Sequence, residues 1–171
     1  MLNSRRTSLV VTGLMIAATV AAAAQRRVPE ARVDSKTVPV TIALKAGADT
    51  YAYSGKASCT HAPVASIYGV RAEQWSVEQS DGAREAMLTV WHPSSGPDMF
   101  SLALSNAGKR QSVNTVKVGA AGSLQGSGTI ALAREGTGGT FTINALGATG
   151  AKISGTIKCD AFTAAIAEGG D

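Results

Sequence analysis

From Val38 onward apolar and polar positions alternate with a period of two. Val38, Val40, Ile42 and Leu44 fall on one side of an extended chain, with Pro39, Thr41 and Ala43 on the other. The pattern returns in Tyr51, Tyr53, Ala57 and Cys59, in Phe100, Leu102 and Leu104, in Phe141, Ile143 and Ala145, and in Ile153, Ile157 and Cys159. Gly- and Ser-rich turns separate the runs at Ser94-Ser95-Gly96-Pro97, Asn106-Ala107-Gly108, residues 119–123 and residues 136–139. Turns about ten residues apart, with no amphipathic helical pattern between them, predict an all-β fold: an antiparallel β-sandwich or partly open barrel of about eight to nine strands. Pro39 cannot donate to a ladder, which predicts an edge or first strand there. Only residues 161–167 are expected to form a helical turn.

Asp81-Gly82 is the clearest local signal. Between two strand-like runs it predicts a two-residue turn, pairing Val77 with Ala86 and Trp75 with Leu88 as core. The same register sets Glu78 against Glu85 and sends Met87, Thr89 and Trp91 to the second face. Two opposed carboxylates count against that register, and a slip of one residue would exchange the faces.

The N-terminus carries a different pattern. Arg5 and Arg6 precede an apolar run over residues 9–20, and Ala22-x-Ala24 before Gln25 fits a small-residue cleavage site. The run is short for a membrane span. Residues 1–24 are therefore read as a signal peptide, residues 25–37 as an unstructured leader and residues 38–171 as a single β domain. The expected location is periplasmic or extracellular, with no stable membrane anchor. Ser4-Arg5-Arg6-Thr7-Ser8-Leu9 looks like a degraded twin-arginine signal. Ser8 stands where that signal wants an apolar residue, so ordinary secretion is favoured.

Composition excludes several classes. The 171 residues are 44% hydrophobic and 16% charged, which is too apolar for a disordered chain. Of the 16 Lys and Arg, Arg5 and Arg6 belong to the signal, leaving fourteen against the 12 acids, a net charge of +2. Arg26, Arg27, Arg32 and Lys36 against Glu30 and Asp34 supply all of it, so the domain itself is neutral and nucleic acid is not an expected partner.

The 2 Cys, in an exported chain, predict one disulfide, Cys59–Cys159, each on the apolar face of its own run. Closing about 100 residues of chain would stabilise by at most ~4.7 kcal/mol. Their wide separation argues against a redox pair.

Candidate chemistry is thin. His61, His92 and Asp98 are the only material for a copper or zinc site, and two His without paired spacing are more often loop-end histidines. Glu78 and Glu85 are a candidate carboxylate pair for glycoside chemistry, and glutamates flanking a turn are usually solvated. No G-x-S-x-G elbow is present, and Gly126-Ser127-Gly128 lacks the Lys and helix of a phosphate loop. No catalytic residue, metal or cofactor is assigned. The candidate binding residues are Trp91, His92 and Met87, facing an unidentified protein or a small apolar ligand.

Three stretches, Ser54-Gly55-Lys56-Ala57-Ser58-Cys59-Thr60, Gly139-Thr140-Phe141-Thr142-Ile143 and Ser154-Gly155-Thr156-Ile157-Lys158-Cys159, resemble the mycobacterial 19-kDa lipoprotein antigen family. The resemblance covers residues 38–162. It implies a small secreted β fold whose one disulfide joins an early strand to the last, in a surface or envelope protein. It supplies no active-site residues, and this chain lacks the lipid-bearing Cys. The expected function is an exported, non-catalytic binding or interaction module. The alternatives are a small secreted hydrolase with a carboxylate or metal site, and an inhibitor of a secreted enzyme.

Overall fold

The structure, a computed structural model, describes residues 36–167. The expected signal peptide, residues 1–24, and nearly all of the expected leader, residues 25–37, lie outside the described residues. Twelve strands follow one another: β1 (Thr37–Ala46), β2 (Asp49–Ile67), β3 (Val70–Ser80), β4 (Arg84–Pro93), β5 (Met99–Asn106), β6 (Lys109–Asn114), β7 (Lys117–Val118), β8 (Ala121–Gly122), β9 (Ser127–Glu135), β10 (Gly138–Leu146), β11 (Lys152–Cys159) and β12 (Thr163–Ala164). Nine of them form one antiparallel sheet in the order β6-β5-β4-β3-β2-β1-β11-β10-β9. The sheet curls into a nearly closed barrel. No β6–β9 ladder closes it. Instead Asn114 and Gln125 exchange two backbone hydrogen bonds of 2.8 and 2.9 Å, and the Ala148 N–H donates to the Ser112 carbonyl at 2.9 Å.

The alternating runs become the barrel lining. Ile42, Leu44, Val77, Leu88, Phe100, Leu102, Phe141, Ile143, Ile153 and Ile157 are fully buried inside. The Cys59–Cys159 disulfide is formed, with Cα atoms 6.4 Å apart and both residues wholly buried. It links β2 to β11, the two strands that flank β1.

Three local expectations are corrected. β1 is the first strand but not an edge, because it pairs with both β2 and β11. Pro39 is tolerated because the β11 ladder begins one residue later, at Val40↔Cys159. Residues 161–167 form no helical turn; Thr163 and Ala164 pair in parallel with Thr60 and His61 of β2.

The third correction is the register of the β3–β4 hairpin. Gly82 and Ala83, not Asp81 and Gly82, are its central residues, with Val77 opposite Leu88, Trp75 opposite Val90 and Glu78 opposite Met87. Asp81 explains the shift. Its Oδ1 accepts from the Arg84 N–H at 2.7 Å and the Ala83 N–H at 3.2 Å, so its side chain caps the turn. Gly82 takes the positive φ of +84°. The register moves by two residues, which keeps every side chain on its expected face and separates Glu78 from Glu85.

Two other hairpin turns, Tyr68-Gly69 and Ala107-Gly108, have positive φ at both central positions. Asn or Gly is the usual first residue there, and a larger L-residue costs about 1–2 kcal/mol.

Candidate functional site

Trp91 lies on the outer face of the barrel with Met87 and Thr89, while Trp75, Val77, Leu88 and Val90 point inward. The chain leaving β6 then crosses this outer face. Thr115 continues the β5 ladder through its N–H to the Phe100 carbonyl at 2.9 Å, and the Val116 N–H donates to Asn114 Oδ1 at 2.9 Å. Val116 is thereby pressed against Ile67, Ala72 and Met99, a small apolar cluster outside the barrel that also holds Val70, Trp91 and Val118. Trp91 is half-buried in consequence.

One face of Trp91 borders an open cleft of about 560 Å³. Register explains its lining. Gln74 sits directly across from Trp91 on β3, and Ser101 pairs with Asn114 between β5 and β6. Tyr68, 60% exposed at the β2–β3 turn, completes the rim, and Ile67 and Val116 form the apolar floor. No charged side chain lines the cleft among the described residues. A second open cleft, also about 560 Å³, borders the same cluster through Val70, Met99 and Val118 and includes Asp98 and Lys117.

The three residues singled out from sequence do not converge. Met87 is on the same outer face as Trp91 but lines other surface grooves, with Glu85 and Glu78. His92 points the opposite way from Trp91, toward the end of the barrel, because neighbouring residues on a strand face opposite sides. There its Nδ1 meets Asp98 Oδ1 at 2.6 Å, and its ring approaches Trp75 edge-on, with centroids 6.5 Å apart. His61, paired with Trp75 across β2 and β3, stacks on the indole at 4.7 Å and holds Glu73 Oε2 at 3.2 Å. Two histidine–carboxylate pairs therefore flank one buried indole, one at its face and one at its edge. Among the described residues no three His, Cys, Asp or Glu converge as metal ligands, and no Ser, Thr or Cys side chain hydrogen-bonds either histidine.

Sequence reasoning missed Tyr68, Gln74, Ser101 and Asn114. The parity of β3 placed Gln74 on the outer face in principle; the crossing of residues 114–118 had no local signal. No family model matches the chain, and no curated protein or solved structure matches it either.

Proposed function

We propose that this chain is an exported, non-catalytic binding module of the cell envelope or secretome, and that its contact surface is the cleft beside Trp91. The observation that carries the reading is the half-buried Trp91, fixed from behind by Met99 and Val116 and open in front. Large aromatics held rigid at a surface contribute contact area at little entropic cost, and they are enriched where partners dock. Export is supported by Arg5-Arg6, the apolar run and Ala22-x-Ala24, and a buried disulfide is compatible with an oxidising compartment.

A hydrolase is the second reading, and the short His92–Asp98 contact favours it. A histidine–carboxylate pair orients a general base, yet acyl chemistry also needs a nucleophile within hydrogen-bond reach of the ring. His92 has no hydroxyl or thiol partner among the described residues.

The test is spectroscopic. Envelope material from the source cells is split into protein, glycan and lipid fractions, and each is titrated against the labelled mature domain. At least one fraction should shift the Trp91 indole N–H and the Ser101 and Asn114 amide resonances saturably, and Trp91→Ala, still folded but less stable because it leaves the Met99–Val116 cluster, should lose the two amide shifts. No shift from any fraction overturns the reading.

A further inference from the structure

We propose that the occupant of the Trp91 cleft is an uncharged carbohydrate chain, with pyranose rings laid against Trp91 and Tyr68 and their hydroxyls met by Gln74, Ser101 and Asn114. The inference rests on the binding-module reading and names its ligand.

The lining decides the chemical class. A charged ligand entering a cleft lined by no Asp, Glu, Lys, Arg or His would lose hydration with no compensating charge. A purely apolar ligand would cover two amides and leave their polar atoms unpaired, which is also unfavourable. A sugar ring satisfies both constraints. Its C–H faces are apolar and carry positive charge at the hydrogens, matching the negative face of an aromatic ring. Its rim of hydroxyls needs donors and acceptors at the sides.

The side groups are partly pre-organised. Asn114 is fixed by the backbone bonds to Gln125 and by its Oδ1 accepting from Val116, which leaves the amide donors Nδ2–H as its free end. Gln74 is complementary: its Nε2 donates to Ser76 Oγ at 3.4 Å, and its Oε1 is the free acceptor. Donor and acceptor thus stand on strands either side of the Trp91–Ser101 strip. The cleft is open rather than enclosed, as a chain passing through it requires, and its volume is in the range of small-ligand sites.

Tyr68 presents a second aromatic to the cleft. It holds φ +49° beside Gly69 at +80°, in a turn that Asn or Gly would make without strain, while exposing its ring on the rim of the cleft. The strain also makes a clean variant. Tyr68→Gly relieves the backbone and deletes the aromatic, so folding and binding should move in opposite directions.

The test titrates the domain with neutral hexasaccharides of β-1,4-glucose, α-1,4-glucose and β-1,4-mannose, and with hexagalacturonate as the anionic control. At least one neutral oligosaccharide should shift the Trp91 indole N–H saturably, and the galacturonate should not. Read from the Ser101 and Asn114 backbone amide shifts, Trp91→Ala and Tyr68→Gly should each weaken binding about ten-fold, corresponding to ~1.4 kcal/mol. Tyr68→Gly should melt at the same temperature or higher. Binding of Tyr68→Gly at wild-type strength overturns the proposal, and so does silence from every neutral sugar. If sugars are silent while the protein or lipid fraction still shifts Trp91, the carbohydrate inference fails and the binding module stands.

Discussion

At the residue scale, the barrel keeps one polar contact in its lining. The Tyr51 hydroxyl donates to Gln79 Oε1, and both side chains are buried. Burial pushes the Tyr51 phenol up from 10.0 to about 12, with the nearby Asp81 adding to the rise. The native state therefore holds this proton more tightly than the unfolded chain does. The corresponding stability is fully present below pH 10 and is lost as pH rises from 10 through 12. At about 1.4 kcal/mol per unit the loss is on the order of 2–3 kcal/mol. Tyr51→Phe should be less stable than wild type at pH 7 by about 1–2 kcal/mol, because Gln79 loses its partner. The gap should narrow or reverse as pH approaches 12. Urea unfolding of both proteins across that range measures it, and a constant gap would contradict the assignment. The same scale explains why the Trp91–His92–Met87 grouping did not hold together. Side chains of consecutive residues on a strand diverge, so Trp91 and His92 could share a surface only at a bulge, and β4 pairs regularly with β3 through both.

At the element scale, two glycines separate backbone freedom from close packing. Gly82 has φ +84° with open space where a Cβ would go, whereas a Cβ on Gly155, at φ +139°, would collide with the Ala43 carbonyl oxygen of β1. Gly82→Ala should cost about 1 kcal/mol from conformation alone. Gly155→Ala should cost about 2 kcal/mol or more, because the β1–β11 ladder must also open. Equal shifts in the denaturant midpoints would refute that distinction. Period-two patterning gave the inward faces of β1, β2, β5, β10 and β11 correctly, since the hydrophobic effect acts on each strand separately. Register was harder. The Asp81-Gly82 pair identified a turn, but which two residues occupy its centre depends on the Asp81 carboxylate finding the Ala83 and Arg84 amides. The cleft was the least legible part. Its residues come from β3, β4, β5 and β6 and from the β2–β3 turn, and only the crossing of residues 114–118 over the outer face makes them a site. That crossing is a tertiary event with no periodic trace.

At the scale of the whole molecule, the barrel has a continuous side and a seam. β2, β1 and β11 are joined by full ladders and by Cys59–Cys159, whereas β6 and β9, the ends of the strand order, meet mainly through Asn114, Gln125 and the 147–150 loop. Local opening follows the sparsest hydrogen bonding, so the seam should part while the rest of the barrel stays folded. Native-state hydrogen exchange separates the two events. The Asn114, Gln125 and Ala148 amides should exchange well before those of Ile42 and Ile157. Removing the bridge by changing both Cys59 and Cys159 to Ala should lower global stability by roughly 2–5 kcal/mol. The protection of Ile42 and Ile157, which exchange through global unfolding, should fall by a similar amount. The seam amides should hardly change, because the bridge constrains the unfolded chain and not the seam opening. A uniform drop across all amides would mean that the barrel opens only as one unit. Asn114 belongs to both the seam and the cleft, so a ligand seated beside Trp91 should slow exchange at Asn114 and Gln125 first, leaving Ile42 and Ile157 as they were until binding raises global stability.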